Sequence, residues 1–197
     1  NLTRAREILE LSLATARKGN FSQQESTALL SLANTELAQA RRAKDLKEQN
    51  NNARKYAKEA LIHYQQAAAI AQTPLAKIQA QLNQLTLEIE TNQLTSVNAL
   101  LSSISQLLSQ LPASRASVYA SANYAQSLMK MSNLKGNRQK GTENIASILT
   151  RAIEQAKGLD DRRAESYSLG ILGELYEKQL DWNSAQDYTK SALLIAQ

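Results

Sequence analysis

The sequence contains no cysteine, two prolines, six glycines and one histidine among its 197 residues. The absence of cysteine excludes disulfides, thiolate metal sites and cysteine nucleophiles. Because cysteine-free proteins occur in every compartment, it does not indicate where the protein works. The scarcity of proline and glycine leaves little material for the turns of a β-rich architecture.

Long apolar runs are also missing. No stretch approaches the ~18 uninterrupted apolar residues that a membrane span needs. The most apolar one, at 97–111, is broken by polar residues that include Asn98, Ser102, Ser103 and Gln106. We therefore expect no membrane span. The chain starts at Asn1 and no basic-then-apolar export signal follows, so we expect a fragment of a longer protein whose location stays open.

Helix-forming residues dominate what is present. Alanine and leucine contribute 30 residues each, against two valines. Both are strong helix formers. The composition therefore predicts an all-α protein, and in such a protein internal repeats decide the architecture.

The clearest repeat unit is the last one. Residues 169–176 follow the spacing L-x-x-L-G-x-x-Y, and a small residue, Ala185, follows in the next predicted helix. We expect Gly173 and Ala185 to mark a close helix crossing, because larger side chains would push the axes beyond the usual ~8–10 Å. Asp181 or Asn183 can cap the second helix.

The same spacing recurs upstream and predicts about four helix pairs preceded by one unpaired helix at 2–17. The predicted units are 1–19 (truncated), 22–73, 75–111, 113–158 and 161–197. The 75–111 unit is the weakest match, because Leu85, Val97 and Ile104 stand where small residues are expected. A polar insertion is predicted at 133–141, inside the hairpin of the 113–158 unit.

These features resemble the tetratricopeptide repeat over nearly the whole chain. They resemble more narrowly the degenerate arrays beside CHAT domains in large cyanobacterial proteins. The narrower resemblance is carried by residues 25–34, 80–85, 123–128, 160–167 and 192–196. The family implies a right-handed superhelix of antiparallel helix pairs, an α-solenoid of about nine helices.

The narrower resemblance also implies a scaffold or sensor that regulates a caspase-like peptidase domain elsewhere in the protein. That domain needs a cysteine and a histidine. With no cysteine in the sequence, none of the peptidase domain lies in this chain.

Motifs for catalysis, metal or cofactor binding are weak. His63 has no second histidine or carboxylate cluster at ligand spacing, so we expect a packed or half-exposed helix residue. Residues 136–142 superficially suggest a phosphate-binding loop but lack its order of lysine and glycine. Glu88 and Glu90 diverge on a helix, and the Asp160–Asp161 pair fits a helix cap. We therefore expect a protein that is not an enzyme and holds no metal or cofactor.

The net charge of +5 is unevenly spread along the chain. The densest group of basic residues forms one patch. Its members are Arg41, Arg42, Lys44, Lys47, Arg54, Lys55 and Lys58. Glu36, Asp45, Glu48 and Glu59 interleave with them, a pattern typical of a solvated helical face. The alternative is an anion-binding surface.

The first helix of each predicted pair would line the inner wall of the superhelix. Its small residues and leucines face the partner helix, so the opposite stripe faces the groove. We predict peptide-binding roles for Asn34, Gln79, Asn83, Tyr119, Asn123, Gln126, Lys130, Tyr167 and Glu174, with Ser31, Thr86, Glu90 and Lys178 on the same stripe. Amides can bond a peptide backbone as donor and acceptor, and tyrosines are favoured at interfaces. The alternative is a stripe that is only solvated or partly buried.

The sequence thus predicts a scaffold that binds a protein, a peptide or another segment of its own polypeptide. One alternative is a structural spacer or oligomerisation array, whose cut ends self-associate because internal repeats lack polar caps. A less favoured alternative is single-stranded nucleic-acid binding by helical repeats. Against it, residues 151–197 hold eight acidic and six basic residues, and no base-reading pair recurs.

Overall fold

The computed structural model describes residues 1–46, 50–134 and 142–196. Within those ranges the chain forms nine α-helices and no strand. The helices are α1 (Leu2–Lys18), α2 (Ser22–Asp45), α3 (Asn50–Ile70), α4 (Pro74–Glu90), α5 (Val97–Gln110), α6 (Arg115–Leu134), α7 (Thr142–Gly158), α8 (Arg162–Lys178) and α9 (Trp182–Ala196). The predicted all-α fold with about nine helices is confirmed. No helix in the described part is both long and apolar enough to cross a membrane.

Several helices have an N-cap residue whose side chain accepts a hydrogen bond from a backbone N–H of the first turn. The Asn1 side chain accepts from the Thr3 N–H at the start of α1, and Thr73, followed by proline, accepts from the Ala76 N–H at the start of α4. Asp161 caps α8 through the Ala164 N–H at 3.1 Å. At α9 the capping residue is Asp181, which accepts from the Ser184 N–H at 3.2 Å.

Four helices end in the same backbone turn. A non-glycine residue with positive φ follows α1, α4, α7 and α8; the four are Asn20, Asn92, Asp160 and Leu180, with φ between 53° and 64°. The next N–H bonds a carbonyl five residues back, as in Asp161 N to Ala156 O at 2.9 Å. This pattern satisfies carbonyls that a helix end leaves unpaired. Gly19 is the C-cap of α1 and Gly158 is the last residue of α7, but the left-handed residues that follow them are Asn20 and Asp160.

The chain forms two compact units, unit 1 (Asn1–Ser103) and unit 2 (Ile104–Gln197), with the boundary inside α5. In unit 1, α1 packs on α2, α2 on α3 and α3 on α4. One buried cluster unites the four helices; it contains Leu13, Ala28, Leu29, Leu32, Ala67, Ala68 and Ala80. A second cluster contains Ala33, Leu37, Ala60, Tyr64 and Leu87.

In unit 2, α6 packs on α7 and α8, α7 on α8, and α8 on α9. The core includes Met129, Ile145, Leu149, Leu169 and Leu172. Gly173 lies where α8 meets α9, and a Cβ there would stand 2.7 Å from Thr189 Oγ1 and 3.3 Å from the Ala185 carbonyl oxygen. The predicted close crossing at Gly173 and Ala185 is confirmed.

One part of the solvated-face prediction is wrong. Glu36 is fully buried, with 0% of its surface exposed. Its carboxylate lies 2.7 Å from His63 Nδ1 and 3.5 Å from Arg6 Nη2. The reason is that α1 and α3 cover this side of α2, which the charge pattern of α2 alone does not reveal. His63 is half-buried, as expected.

Two further expectations concern particular residues. Leu85, Val97 and Ile104, predicted to be too large for a regular unit, are all buried, with at most 1% exposure. In the predicted insertion, α6 continues to Leu134, and residues 135–141 lie outside the described part of the chain. Lys47 and Glu48 of the basic patch also lie outside it.

Candidate functional site

The predicted stripe occupies two sets of neighbouring helices, one in each unit. The unit 1 face comprises Ser31, Asn34, Gln79, Asn83, Thr86 and Glu90 on α2 and α4. The unit 2 face comprises Tyr119, Asn123, Gln126, Lys130, Tyr167, Glu174 and Lys178 on α6 and α8. All of these residues are exposed or half-buried. They are therefore accessible to a ligand within their own unit.

Asn34 is the centre of the unit 1 face. Its Oδ1 accepts hydrogen bonds from the Tyr64 hydroxyl at 2.7 Å and from Asn83 Nδ2 at 3.0 Å. Burial raises the pKa of Tyr64, so its hydroxyl stays protonated and can donate. Among the described residues, the Asn34 NH₂ group and the Asn83 carbonyl oxygen have no partner. One donor and one acceptor thus remain for a ligand.

A cavity of about 300 Å³ opens beside these amides. Its lining includes Leu37, Arg41 and Thr86 together with Asn34, Tyr64 and Asn83. Arg41 also holds Glu90, with Nη2 to Oε1 at 2.7 Å. Both charged side chains are exposed, so this pair contributes little stability and can exchange for a ligand charge.

Gln79 is one of three members of the unit 1 face, with Ser31 and Glu90, that do not line this cavity. It is exposed on α4 but absent from the cavity lining. Conversely, sequence reasoning missed Tyr64 and Arg41. Tyr64 belongs to the buried stripe of α3, and only its hydroxyl reaches Asn34. A tyrosine among buried alanines is the available signal, since a buried tyrosine hydroxyl usually finds a partner.

The unit 2 face is built around two tyrosines. The rings of Tyr119 and Tyr167 have centroids 5.2 Å apart and are tilted by 44°. The Tyr167 hydroxyl donates to Asn123 Oδ1 at 2.7 Å. Burial, followed by the nearby Tyr119 and Glu174, raises the pKa of Tyr167 and keeps this hydroxyl protonated. The structure thus joins three of the predicted residues.

The other members of the unit 2 face stand beside this group. Glu174 pairs with Lys178 one turn later, with 2.5 Å between Oε1 and Nζ. Gln126 and Lys130 are half-buried on α6, and their side chains have no partner among the described residues. They are free to contact a ligand.

In both units a side-chain hydrogen bond joins a helix to the second helix after it. In unit 1, Asn34 on α2 accepts from Asn83 on α4, and in unit 2, Asn123 on α6 accepts from Tyr167 on α8. An asparagine is therefore oriented by a donor two helices later in each case. This arrangement supports the description of the chain as an all-helical, repeat-like protein.

The chemistry available at both faces is hydrogen bonding, ring contact and ion pairing. The described residues contain no group of three or more metal-ligating histidines or acidic residues. No known protein-family model matches the sequence, and no significant match is found among curated proteins.

Proposed function

We propose that this chain is a non-catalytic tetratricopeptide-type scaffold that binds an extended peptide, or another segment of its own polypeptide, in a concave groove formed by the first helices of its pairs. The observation that carries the proposal is the oriented asparagine on each face. An oriented amide loses less freedom when it binds, which lowers the cost of association.

The unit 1 face supplies backbone recognition. An extended peptide offers alternating N–H and C=O groups, and the free Asn34 NH₂ group and Asn83 carbonyl oxygen match one of each. The adjacent cavity of about 300 Å³ has room for a side chain. Arg41 and Glu90 at its edge favour a peptide carrying charges that can replace one of the pair.

The unit 2 face supplies an anchor. Tyrosine pairs offer large contact area with few rotatable bonds, a feature of interface hot spots. Because the Tyr167 hydroxyl is held by Asn123, the ring of Tyr167 is fixed beside Tyr119. We expect an apolar or aromatic ligand side chain to pack against these rings.

The resemblance to CHAT-associated arrays supports a finer proposal. Binding of that segment would regulate a peptidase-like domain elsewhere in the same protein, and the scaffold would be the regulatory region of that domain. The all-helical, repeat-like fold is compatible with this role, which depends on the resemblance.

The test is selection from a random peptide display library, followed by calorimetry with the enriched peptides. Wild type would be compared with Asn34→Ala/Asn83→Ala and with Tyr119→Ala/Tyr167→Ala. Gln66→Ala and Gln186→Ala are matched controls, because both glutamines are exposed on α3 and α9 and lack partners in the described part of the chain. We expect Kd to rise about tenfold or more in at least one double variant and to stay unchanged in the controls.

Two results would reject this function. Enriched peptides that bind all variants equally would exclude both faces, and failure to enrich any peptide would favour the spacer alternative. Binding to a single-stranded oligonucleotide that falls steeply with salt would instead favour the nucleic-acid alternative.

A further inference from the structure

A second cavity in unit 1, the α3–α4 cavity, shares no residue with the unit 1 face. Its volume is about 600 Å³, which lies within the range of ~300–1,000 Å³ typical of small-molecule sites. It is lined by residues of α3, of α4 and of the turn that follows α4. They are Arg54, Ala57, Lys58, Leu61, Ile62, Leu87, Thr91 and Gln93. It is therefore large enough for a small organic molecule.

The floor of the α3–α4 cavity is apolar and preformed. Leu87 is 3% exposed, and Ala57 and Leu61 pack against the same buried cluster. Ile62 stands at the rim with 42% of its surface exposed. Because the floor belongs to the packed core, a ligand need not open it, and burying Ile62 would add hydrophobic stabilisation.

Two cations beside this floor have no counter-charge among the residues that the structure describes. Arg54 and Lys58 are four residues apart on α3, so they share one face, and like charges at this spacing repel. Neither forms an ion pair with any residue that the structure describes. An anion between them would relieve the repulsion.

The carboxylates of α3 and α4 cannot supply that anion because each is engaged elsewhere. Glu59 pairs with Arg6 at 2.9 Å, and Glu90 pairs with Arg41 at 2.7 Å. Glu88 is buried and accepts from the Ser96 hydroxyl at 2.6 Å. No carboxylate of α3 or α4 therefore neutralises the positive charge at the α3–α4 cavity, which can attract an anionic ligand.

We propose that the α3–α4 cavity binds a small organic anion with an apolar body, of the aliphatic carboxylate class. The carboxylate lies on Arg54 and Lys58, and the aliphatic chain covers Leu61, Ile62 and Leu87. A mainly apolar lining with a few convergent polar groups is the usual composition of such sites. The proposed site assigns anion binding to Arg54 and Lys58, two members of the basic patch. It does not rest on the proposed peptide-binding function.

The experiment is calorimetric titration of the whole chain with octanoate, and with acetate and octanol as probes of head and tail alone. Arg54→Gln and Lys58→Gln remove one charge each. Lys55→Gln is the matched control, because Lys55 is exposed on the same helix and outside the cavity lining. Ile62→Ser removes the apolar rim without touching the core.

We expect saturable octanoate binding whose Kd rises about tenfold in Arg54→Gln or Lys58→Gln, because each substitution removes one charge-assisted hydrogen bond. Lys55→Gln should bind as wild type does, Ile62→Ser should weaken octanoate but not acetate, and octanol and acetate should bind more weakly than octanoate. The proposal is overturned by an absence of saturable octanoate binding, by an equal loss in Lys55→Gln, or by octanol binding as tightly as octanoate.

Discussion

The two units differ in the partners of their buried hydroxyl and carboxylate side chains. In unit 1, buried polar side chains bond to other helices, as Glu36 does with His63 and Ser26 does with the Ala67 carbonyl. In unit 2, buried serines bond their own helix instead: Ser127 donates to the Asn123 carbonyl and Ser168 to the Ala164 carbonyl. These buried side chains of unit 1 therefore bond to another helix. In unit 2 the bonds between helices come from less buried groups, such as the hydroxyls of Tyr167, which donates to Asn123, and Ser166, which donates to the Ala192 carbonyl.

This difference determines what each unit tolerates. A buried charge that loses its partner is costly because it keeps its desolvation penalty, so unit 1 should be sensitive to changes of charge. Close-packed interiors respond to small changes of volume, so unit 2 should be sensitive to added atoms where α8 meets α9. Removing a charge partner in unit 1 and adding volume in unit 2 therefore test the difference between the two units.

The largest effect is expected from Arg6→Met in unit 1. This change leaves the Glu36 carboxylate buried with His63 as its remaining ion partner among the described residues. We expect the free energy of unfolding to fall by about 3 kcal/mol, the lower end for breaking a buried pair. Urea unfolding, with hydrogen exchange of the α2 and α3 amides, measures it.

Two companion variants sharpen that test. Arg4→Met, at an exposed position of α1, should change the free energy of unfolding by less than ~0.5 kcal/mol. Arg6→Met/Glu36→Met should recover much of the loss, because apolar replacement of a buried pair is often neutral. Equal losses in the free energy of unfolding for Arg4→Met and Arg6→Met would show that pairing of the buried Glu36 carboxylate with Arg6 does not stabilise unit 1.

The next effect is expected from Gly173→Leu in unit 2. Atoms added at Gly173 would collide with Thr189 and the Ala185 carbonyl, at 2.7 and 3.3 Å from the new Cβ. Overpacking of this kind costs about 1–3 kcal/mol. Gly170→Leu is the control, because a Cβ there meets nothing within 4 Å and the helix gains ~0.5–1 kcal/mol in propensity. Similar urea midpoints for the two variants would contradict a crossing set by shape.

A third, smaller effect contrasts the caps of α8 and α4. The hydrogen bond from Arg115, followed by the Ala164 N–H, lowers the pKa of Asp161 below its ordinary value of 3.8. A lowered pKa contributes stability that is present above pH 3.8 and is lost as the pH falls through the folded-state value.

The stability difference between wild type and Asp161→Asn should therefore shrink as the pH falls below 3.8, since asparagine still caps a helix. Thr73 caps α4 with a hydroxyl that does not titrate in this range. Its change to alanine should cost ~1 kcal/mol at every pH. Urea midpoints between pH 2 and 7 give both differences, and a pH-independent Asp161→Asn difference would contradict the assignment.

Much of the fold could be predicted because it depends on local sequence. Alanine and leucine content predicted helices, and the unpaired helix expected at 2–17 is α1, Leu2–Lys18. The left-handed turns were harder to predict, because Leu180 carries no local signal for positive φ. That conformation is stabilised by the carbonyls it satisfies, as in Asp181 N to Tyr176 O at 3.0 Å.

Site residues whose position depends on the periodicity of a single helix could be predicted. Residues whose position depends on packing against another helix were missed. Spacing of three or four places Asn83 with Thr86 on α4 and Asn123 with Gln126 on α6. The hydrogen bonds from Asn83 to Asn34 and from Tyr167 to Asn123 then join stripes on different helices. The burial of Glu36 depends on Arg6 and on helices distant in sequence, which periodicity along one helix cannot show.

The smallest effect concerns the two oriented asparagines. Tyr167→Phe removes the hydrogen bond to Asn123 and keeps the ring beside Tyr119, so the free energy of unfolding should fall by about 0.5–1 kcal/mol. Asn83→Ala should cost less, because Asn34 keeps its bond from Tyr64. Double-mutant cycles by urea unfolding, Tyr167→Phe with Asn123→Ala and Asn83→Ala with Asn34→Ala, measure each coupling. We expect a smaller coupling energy between Asn34 and Asn83 than between Asn123 and Tyr167. An equal or larger value would show that the Tyr64 hydroxyl does not hold the Asn34 side chain in place. The amide of Asn34 would then be no better oriented than the amide of Asn123.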